Sequence, residues 1–406
     1  MSNASSTVIH SVRLISSGVD WADAFVAFKD DRVLATGTGS GWRDLVGNDA
    51  DVLDGAEHVL TPGLLDIHNH GGAGASYEEG LDAIRTGRRL HCQHGTTRQL
   101  LSLVTASPDV LISQIHVAAA ETRRDPTLLG IHLEGPFLAG QYRGAHNPAL
   151  LRDPDPDLVQ RLLVAADGTL RQVTVAPERA HFEESARILG EAGVVVAVGH
   201  TAATYEQARA AIDAGATLLT HTFNGMPGVH HRAPGPVLAF VENPDGWLEV
   251  INDGVHVRPE VIRMLCRLAP GRVALVSDAM SAAGAGDGRY RIGNLDVDVA
   301  EGVARLTGEK SLAGSTLTLD VAVARAVQNV GLTPLAAIEA ATVIPAQILG
   351  VDDRFGRLQP GYVADAVLFD RDWQVRGVWI DGRPVGEREQ VLPPVPASPP
   401  RHSQIA

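Results

Sequence analysis

The chain has 406 residues, a formal net charge of −14, 45% hydrophobic and 20% charged residues, which is the balance of an ordinary globular protein. The acidic surplus argues against a nucleic acid or an anionic membrane surface as partner. No apolar run reaches a membrane span, the first twenty residues lack a signal peptide's basic start and apolar core, and Cys92 and Cys266 are too few for a disulfide framework, so the expectation is a cytoplasmic chain with free thiols.

Residues 1–60 read as short strands divided by turns, in "TVIHSVRLI", "AFVAFKDDRVLATG" and "DADVLDGAEHVLTPG", with no helical period. Over residues 61–356 short apolar runs alternate with Ala-rich helical patterns such as "YEQARAAIDAGA", the signal for βα units on a parallel sheet. Eight strand candidates occur in order: "LLDIHNH", "TTRQLLSLVT", "LLGIHLEG", "RQVTVAPE", "GVVVAVGH", "ATLLTHTFN", "WLEVINDGVHV" and "RVALVSDAM". Each is largely apolar, as strands covered on both faces are, and eight of them with helices between predict an α/β fold closed as a (β/α)8 TIM-like barrel. Strand texture returns over 357–391, in "GRLQPGYVADAVLFD" and "WQVRGVWIDGRPVG", and is expected to join the first segment in a small accessory β-sandwich domain formed by both termini. The Pro/Ser-rich stretch 392–406 reads as a disordered tail.

The ends of the barrel strands carry the chemistry. The first ends with His68 and His70, the third with His132 and Glu134, the fifth with His200, the sixth with His221 and the eighth with Asp278. In a barrel these ends share one face, where active sites lie. Any single histidine there is more often a satisfied core group or a cap; ligand types at five strand ends make a divalent cation the better reading. Imidazole with carboxylate and no thiolate suits zinc, iron, cobalt or manganese in a catalytic site. Asp278 is placed to take a proton from water activated at the cation and pass it to a leaving group; its reading as a helix N-cap ranks second. His132 sits one step deeper than Glu134 and is read as structural. His91 and His94 precede a strand and are read the same way, and Glu178 either orients a ligand or meets a neighbouring loop.

The ordered series "PGLLDIHNHGG", "HLEGPF", "GAHNP", "VGHTAATYE", "THTFNGMPGVHHRAPG", "NDGVHV", "SDAMSAAG" and "LAGSTLTLD" resembles the N-acetylglucosamine-6-phosphate deacetylases of the amidohydrolase superfamily. The resemblance implies a barrel with a β domain from both termini, a homodimer, and hydrolysis of the acetamide of N-acetylglucosamine 6-phosphate to glucosamine 6-phosphate and acetate. It implies Glu134, His200 and His221 as main metal ligands and Asp278 as catalytic acid/base. Members that keep His-x-His resemble two-metal enzymes, with His68, His70 and Asp278 at a second ion and Glu134 bridging, so one or two divalent ions are expected, zinc foremost. His146 and His256 match histidines that touch the sugar or polarise the amide carbonyl. Asn224 and Gly225 match a phosphate-binding segment, Arg232 the phosphate-binding arginine, which in this family can come from the partner subunit, and Leu312, Ala313 and Gly314 a stretch closing over the sugar. Phe137 stands where many relatives carry Trp, and Gly225 where many carry Ala. The alternatives are a deacetylase of another N-acylated amino sugar phosphate, such as N-acetylgalactosamine 6-phosphate, and a non-catalytic sugar-phosphate sensor.

Overall fold

The computed structural model describes residues 6–45, 47 and 50–386; the stretch read as a disordered tail lies outside them. Eight parallel strands, Leu64–Asp66, Thr96–Val104, Leu128–Glu134, Leu170–Val175, Val195–Val198, Leu218–Leu219, Trp247–Ile251 and Val273–Val276, neighbour one another in chain order. The first and last meet through a parallel bridge between Asn69 and Ala279. There the Asp278 N–H donates to the His68 carbonyl at 2.9 Å and the His70 N–H to that of Ala279 at 2.8 Å. The barrel expected from the apolar runs is therefore present, and its seam passes through the residues of the site.

Helices cover the barrel because their local signals and buried stripes agree. Pro108–Arg124 starts with proline in its first turn and buries Leu111, Ile115, Ala118 and Ala119 on one face. Tyr205–Asp213 opens with a reciprocal capping box between Thr204 and Gln207. No described helix is long and apolar enough to cross a membrane.

The accessory unit is one hydrogen-bonded sheet of eight strands. Five come from the N-terminal segment (Ser6–Ser16, Val19–Lys29, Arg32–Thr38, Asp51–Asp54, Val59–Pro62) and three from the C-terminal one (Ala366–Phe369, Val375–Ile380, Arg383–Pro384). Ala366–Phe369 runs antiparallel to Val59–Pro62, with Ala366 opposite Pro62, so both termini enter one β unit as expected. Arg98 ties this sheet to the barrel. It is almost fully buried on the second barrel strand, and its guanidinium grips Asp365 at 2.6 and 2.9 Å and Asp381 at 2.6 Å.

The sequence reading did not mark a three-stranded antiparallel sheet, Gly288–Ile292, Leu295–Ala300 and Val303–Leu306, inserted after the eighth barrel strand. Its turns use left-handed backbone at Gly293 (φ +54°) and at Glu301 and Gly302 (φ +52° and +72°). "GN" and "EG" between alternating residues were the available signal. Val297, Ile292, Ala304 and Leu306 pack with Met280 in a satellite core beneath it.

Candidate active site and metal centre

The barrel strands deliver the predicted side chains to one point. Glu134 closes the third strand, whereas His68, His200, His221 and Asp278 each stand two residues past a strand end. Three of them leave ordinary backbone space to get there: φ is +46° at His200, +27° at His221 and +47° at Asp278. Left-handed backbone costs a side-chain-bearing residue roughly 1–2 kcal/mol, and strain of this kind gathers where a site demands it.

Glu134 is the hub. Its Oε1 lies 3.0 Å from the Nε2 atoms of His200 and His221 and 3.4 Å from that of His68. Its Oε2 lies 3.1 Å from His70 Nε2 and 3.4 Å from His146 Nε2. Asp278 Oδ1 sits 3.4 and 3.3 Å from the Nε2 atoms of His68 and His70. Two overlapping sets result, His68–His70–Glu134–Asp278 and Glu134–His200–His221, with the donor atoms of each set within 4.8 Å of one another and every residue buried.

The donor chemistry fits a cation. His200 Nδ1 is 2.8 Å from the Tyr142 carbonyl, which only accepts, so the proton is on Nδ1 and Nε2 is bare. That bare nitrogen meets His221 Nε2 at 3.0 Å, an arrangement a bound cation satisfies. Gly144 and Gly225 make room for the same ring: both have positive φ, and a Cβ on either would stand 2.9 Å from His200. Electrostatics agree. Burial alone would raise the Glu134 carboxyl, but the imidazoles gathered around it, His68 first, hold it well below the usual carboxylate range. Burial would lower His70, yet Asp278 and Glu134 lift it to about 9. A point that draws protons this strongly draws a divalent cation too.

The other predicted residues divide. His146, Asn224, Gly225, His256, Leu312 and Gly314 line one cavity of about 270 Å³ together with Glu134, His200, His221 and Asp278. His256 is anchored by Asp253, whose Oδ2 takes Nδ1 at 2.7 Å while Oδ1 accepts the backbone N–H groups of Val255 and His256 at 2.8 Å. Burial opposes a charge on His256, and the Asp253 bond outweighs it, raising the pKa. Ala313 is not among the residues lining the cavity: its methyl is fully buried in the satellite core with Met280 and Val297. Arg232 is exposed and outside the cavity lining, its Nη1 2.7 Å from His231 Nε2. Glu178 accepts from Thr201 Oγ1 and the Ala202 N–H, both at 2.5 Å, and so secures the loop after His200. His132 is structural, bonded to Ser102 and Thr174 at 2.9 Å each.

Sequence reasoning missed Asp66, Asp253 and Glu249. Asp66 accepts from Ser277 Oγ at 2.6 Å across the barrel seam and from Asn69 Nδ2 at 3.2 Å on its own side. Asp253 had a local signal, an Asx turn in "NDGVH". Glu249, at 3.0 Å from His68 Nδ1, had none.

Comparison with known proteins agrees with this geometry. Residues 59–385 match the Amidohydrolase family. N-acetylgalactosamine-6-phosphate deacetylase of Escherichia coli O157:H7 is 39% identical over 80% of this chain and 87% of its own. N-acetylglucosamine-6-phosphate deacetylase of Bos taurus is 36% identical over 82% and 85%. The structure of a Mycobacterium smegmatis N-acetyl-D-glucosamine-6-phosphate deacetylase variant in complex with N-acetyl-D-glucosamine-6-phosphate superposes with a TM-score of 0.88 at 40% identity, covering 94% of this chain and 99% of that one. With the barrel, the two ligand sets and these likenesses together, the chain belongs to the amidohydrolase family, within its N-acetylglucosamine-6-phosphate deacetylase group.

Proposed function

We propose that this protein hydrolyses the acetamide of N-acetyl-D-glucosamine 6-phosphate to D-glucosamine 6-phosphate and acetate, as a cytoplasmic step of amino-sugar metabolism. The observation that carries the reading is Asp278, a buried carboxylate 3.3–3.4 Å from His68 and His70 that also lines the cavity. Glu134, His200 and His221 would hold one divalent cation, zinc foremost, and His68, His70, Glu134 and Asp278 a second; bound there it supplies Lewis acidity toward the acyl oxygen and acidifies a water.

The protein's own groups perform the proton work. Asp278 is held ionised: burial would raise its pKa, but His68 and His70 pull it below the ordinary range. It takes a proton from the attacking water as the new C–O bond forms, then gives it to the nitrogen as the C–N bond breaks. His256, its Nδ1 proton committed to Asp253, turns the other edge toward the acyl oxygen. His146 is kept neutral, since burial lowers its pKa to about 4, and contacts the sugar. Asn224 and the Gly225 backbone face the phosphate. Arg232, outside the lining of its own cavity, supplies its bidentate fork to the phosphate of a partner subunit in a homodimer.

The test is acetate release from N-acetylglucosamine 6-phosphate, measured with metal content per chain. Release that depends on bound cation is expected, and none at any cation loading overturns the reading. A second reading, the galactosamine epimer, is favoured by the 39% identity to the Escherichia coli enzyme. Comparing kcat/KM on the two epimers decides between them.

A further inference from the structure

Beneath the two ligand sets lies Glu249, fully buried on the seventh barrel strand and a member of neither set. Its Oε2 accepts from His68 Nδ1 at 3.0 Å and from the backbone N–H of His221 at 3.2 Å. Its Oε1 accepts from Gln172 Nε2 at 2.9 Å. One carboxylate thus touches a residue from each set, but in different ways: the ring of His68 and only the main chain of His221. The His221 turn has further support, because the Thr222 N–H donates to the Glu249 carbonyl at 2.8 Å, a bond no side-chain change removes.

We propose that Glu249 is the positioning residue of the second cation site: by accepting the Nδ1 proton of His68 it presents Nε2 to Glu134 and Asp278, and so decides whether the His68–His70–Glu134–Asp278 set binds a cation. The physical basis is tautomer choice. A neutral imidazole has one bare nitrogen, and a carboxylate on the opposite nitrogen fixes which one and makes it more basic. Without that acceptor, His68 can protonate Nε2 or rotate, and the second set loses a donor. The Glu134–His200–His221 set keeps its own tautomer lock through Tyr142.

The inference rests on the two-cation reading, and the experiment separates the two. Metal-free wild type, Glu249→Gln and Glu249→Ala are titrated with Co²⁺ by calorimetry and visible absorption, with His68→Ala/His70→Ala as the one-site control. Two ions are expected on wild type. Glu249→Ala, which removes the acceptor, should weaken the second ion by about 10- to 100-fold and leave the first unchanged; Glu249→Gln, which keeps a carbonyl acceptor for His68 Nδ1, should weaken it less. Circular dichroism and thermal melting confirm that each variant is folded. Two ions bound at wild-type affinity by Glu249→Ala would overturn the positioning role, as would equal weakening of both ions. A single ion on wild type would overturn the two-cation reading itself and the proposal with it.

Discussion

Asp278 and His132 show what a single residue's position along a strand decides. Both are buried, and both lie beside His68. His132 stands inside the strand, where Ser102 and Thr174 satisfy both ring nitrogens and burial pushes its pKa well below the ordinary value. Asp278 stands past the strand end and opens to the cavity. That difference was legible from alternation and strand length alone. Glu249 was not, because a lone carboxylate in "WLEVI" has no spacing partner, and its partner His68 lies far off in sequence. Asp278→Asn keeps the shape and removes the proton acceptor. Acetate release should fall by about 10²- to 10⁴-fold, while metal analysis still finds the ion of Glu134, His200 and His221. Activity within a few-fold of wild type would contradict the acid/base role.

At the scale of elements, the barrel and the inserted sheet make different contributions. The barrel places the polar groups, and the insert, with the segment after it, brings Ile292, Ser311, Leu312 and Gly314 over them. Arg143, on the loop after the third strand, reaches Glu309 at 3.2 and 3.3 Å. That exposed pair contributes little by itself. The apolar packing of Val297 against Met280 and Ile292 holds the insert down. βα alternation revealed the barrel because each strand is a continuous apolar run; the insert alternates polar with apolar residues within a Gly-rich stretch and escaped that pattern. Val297→Asp puts an unpaired charge into this small core and should lift the insert locally. KM should rise about tenfold, equal to about 1.4 kcal/mol of lost contact, with a smaller change in kcat. An unchanged KM in a folded variant would mean the insert does not shape the site.

Across the whole molecule, two buried polar anchors set stability. Arg98 joins the barrel to Asp365 and Asp381 of the accessory sheet, with Phe355 beneath its guanidinium at 4.8 Å. Arg98 was not singled out within "TTRQLLSLVT", since its partners Asp365 and Asp381 come from the other end of the chain. Arg98→Met leaves Asp365 buried and unpaired and should cost about 3–5 kcal/mol in urea denaturation; a loss under about 1 kcal/mol would show the pair is not the anchor. His91 contributes on the acid side. Its Nε2 donates to the Gly71 carbonyl at 2.9 Å, its Nδ1 is buried without a hydrogen-bond partner, and burial lowers its pKa to about 4. The unfolded imidazole titrates near 6.5. Between these values the unfolded chain binds a proton that the native chain does not, so native stability falls as pH drops through this window and is level above it. The difference corresponds to about 3 kcal/mol for this group. His146, also near 4, and His132, lowered by burial, act in the same direction, so the His91 share is read by difference. His91→Gln keeps a donor for Gly71 and removes the titration; its unfolding free energy should fall less steeply than wild type from pH 6.5 to 4.5, and parallel pH curves for the two proteins would refute the assignment.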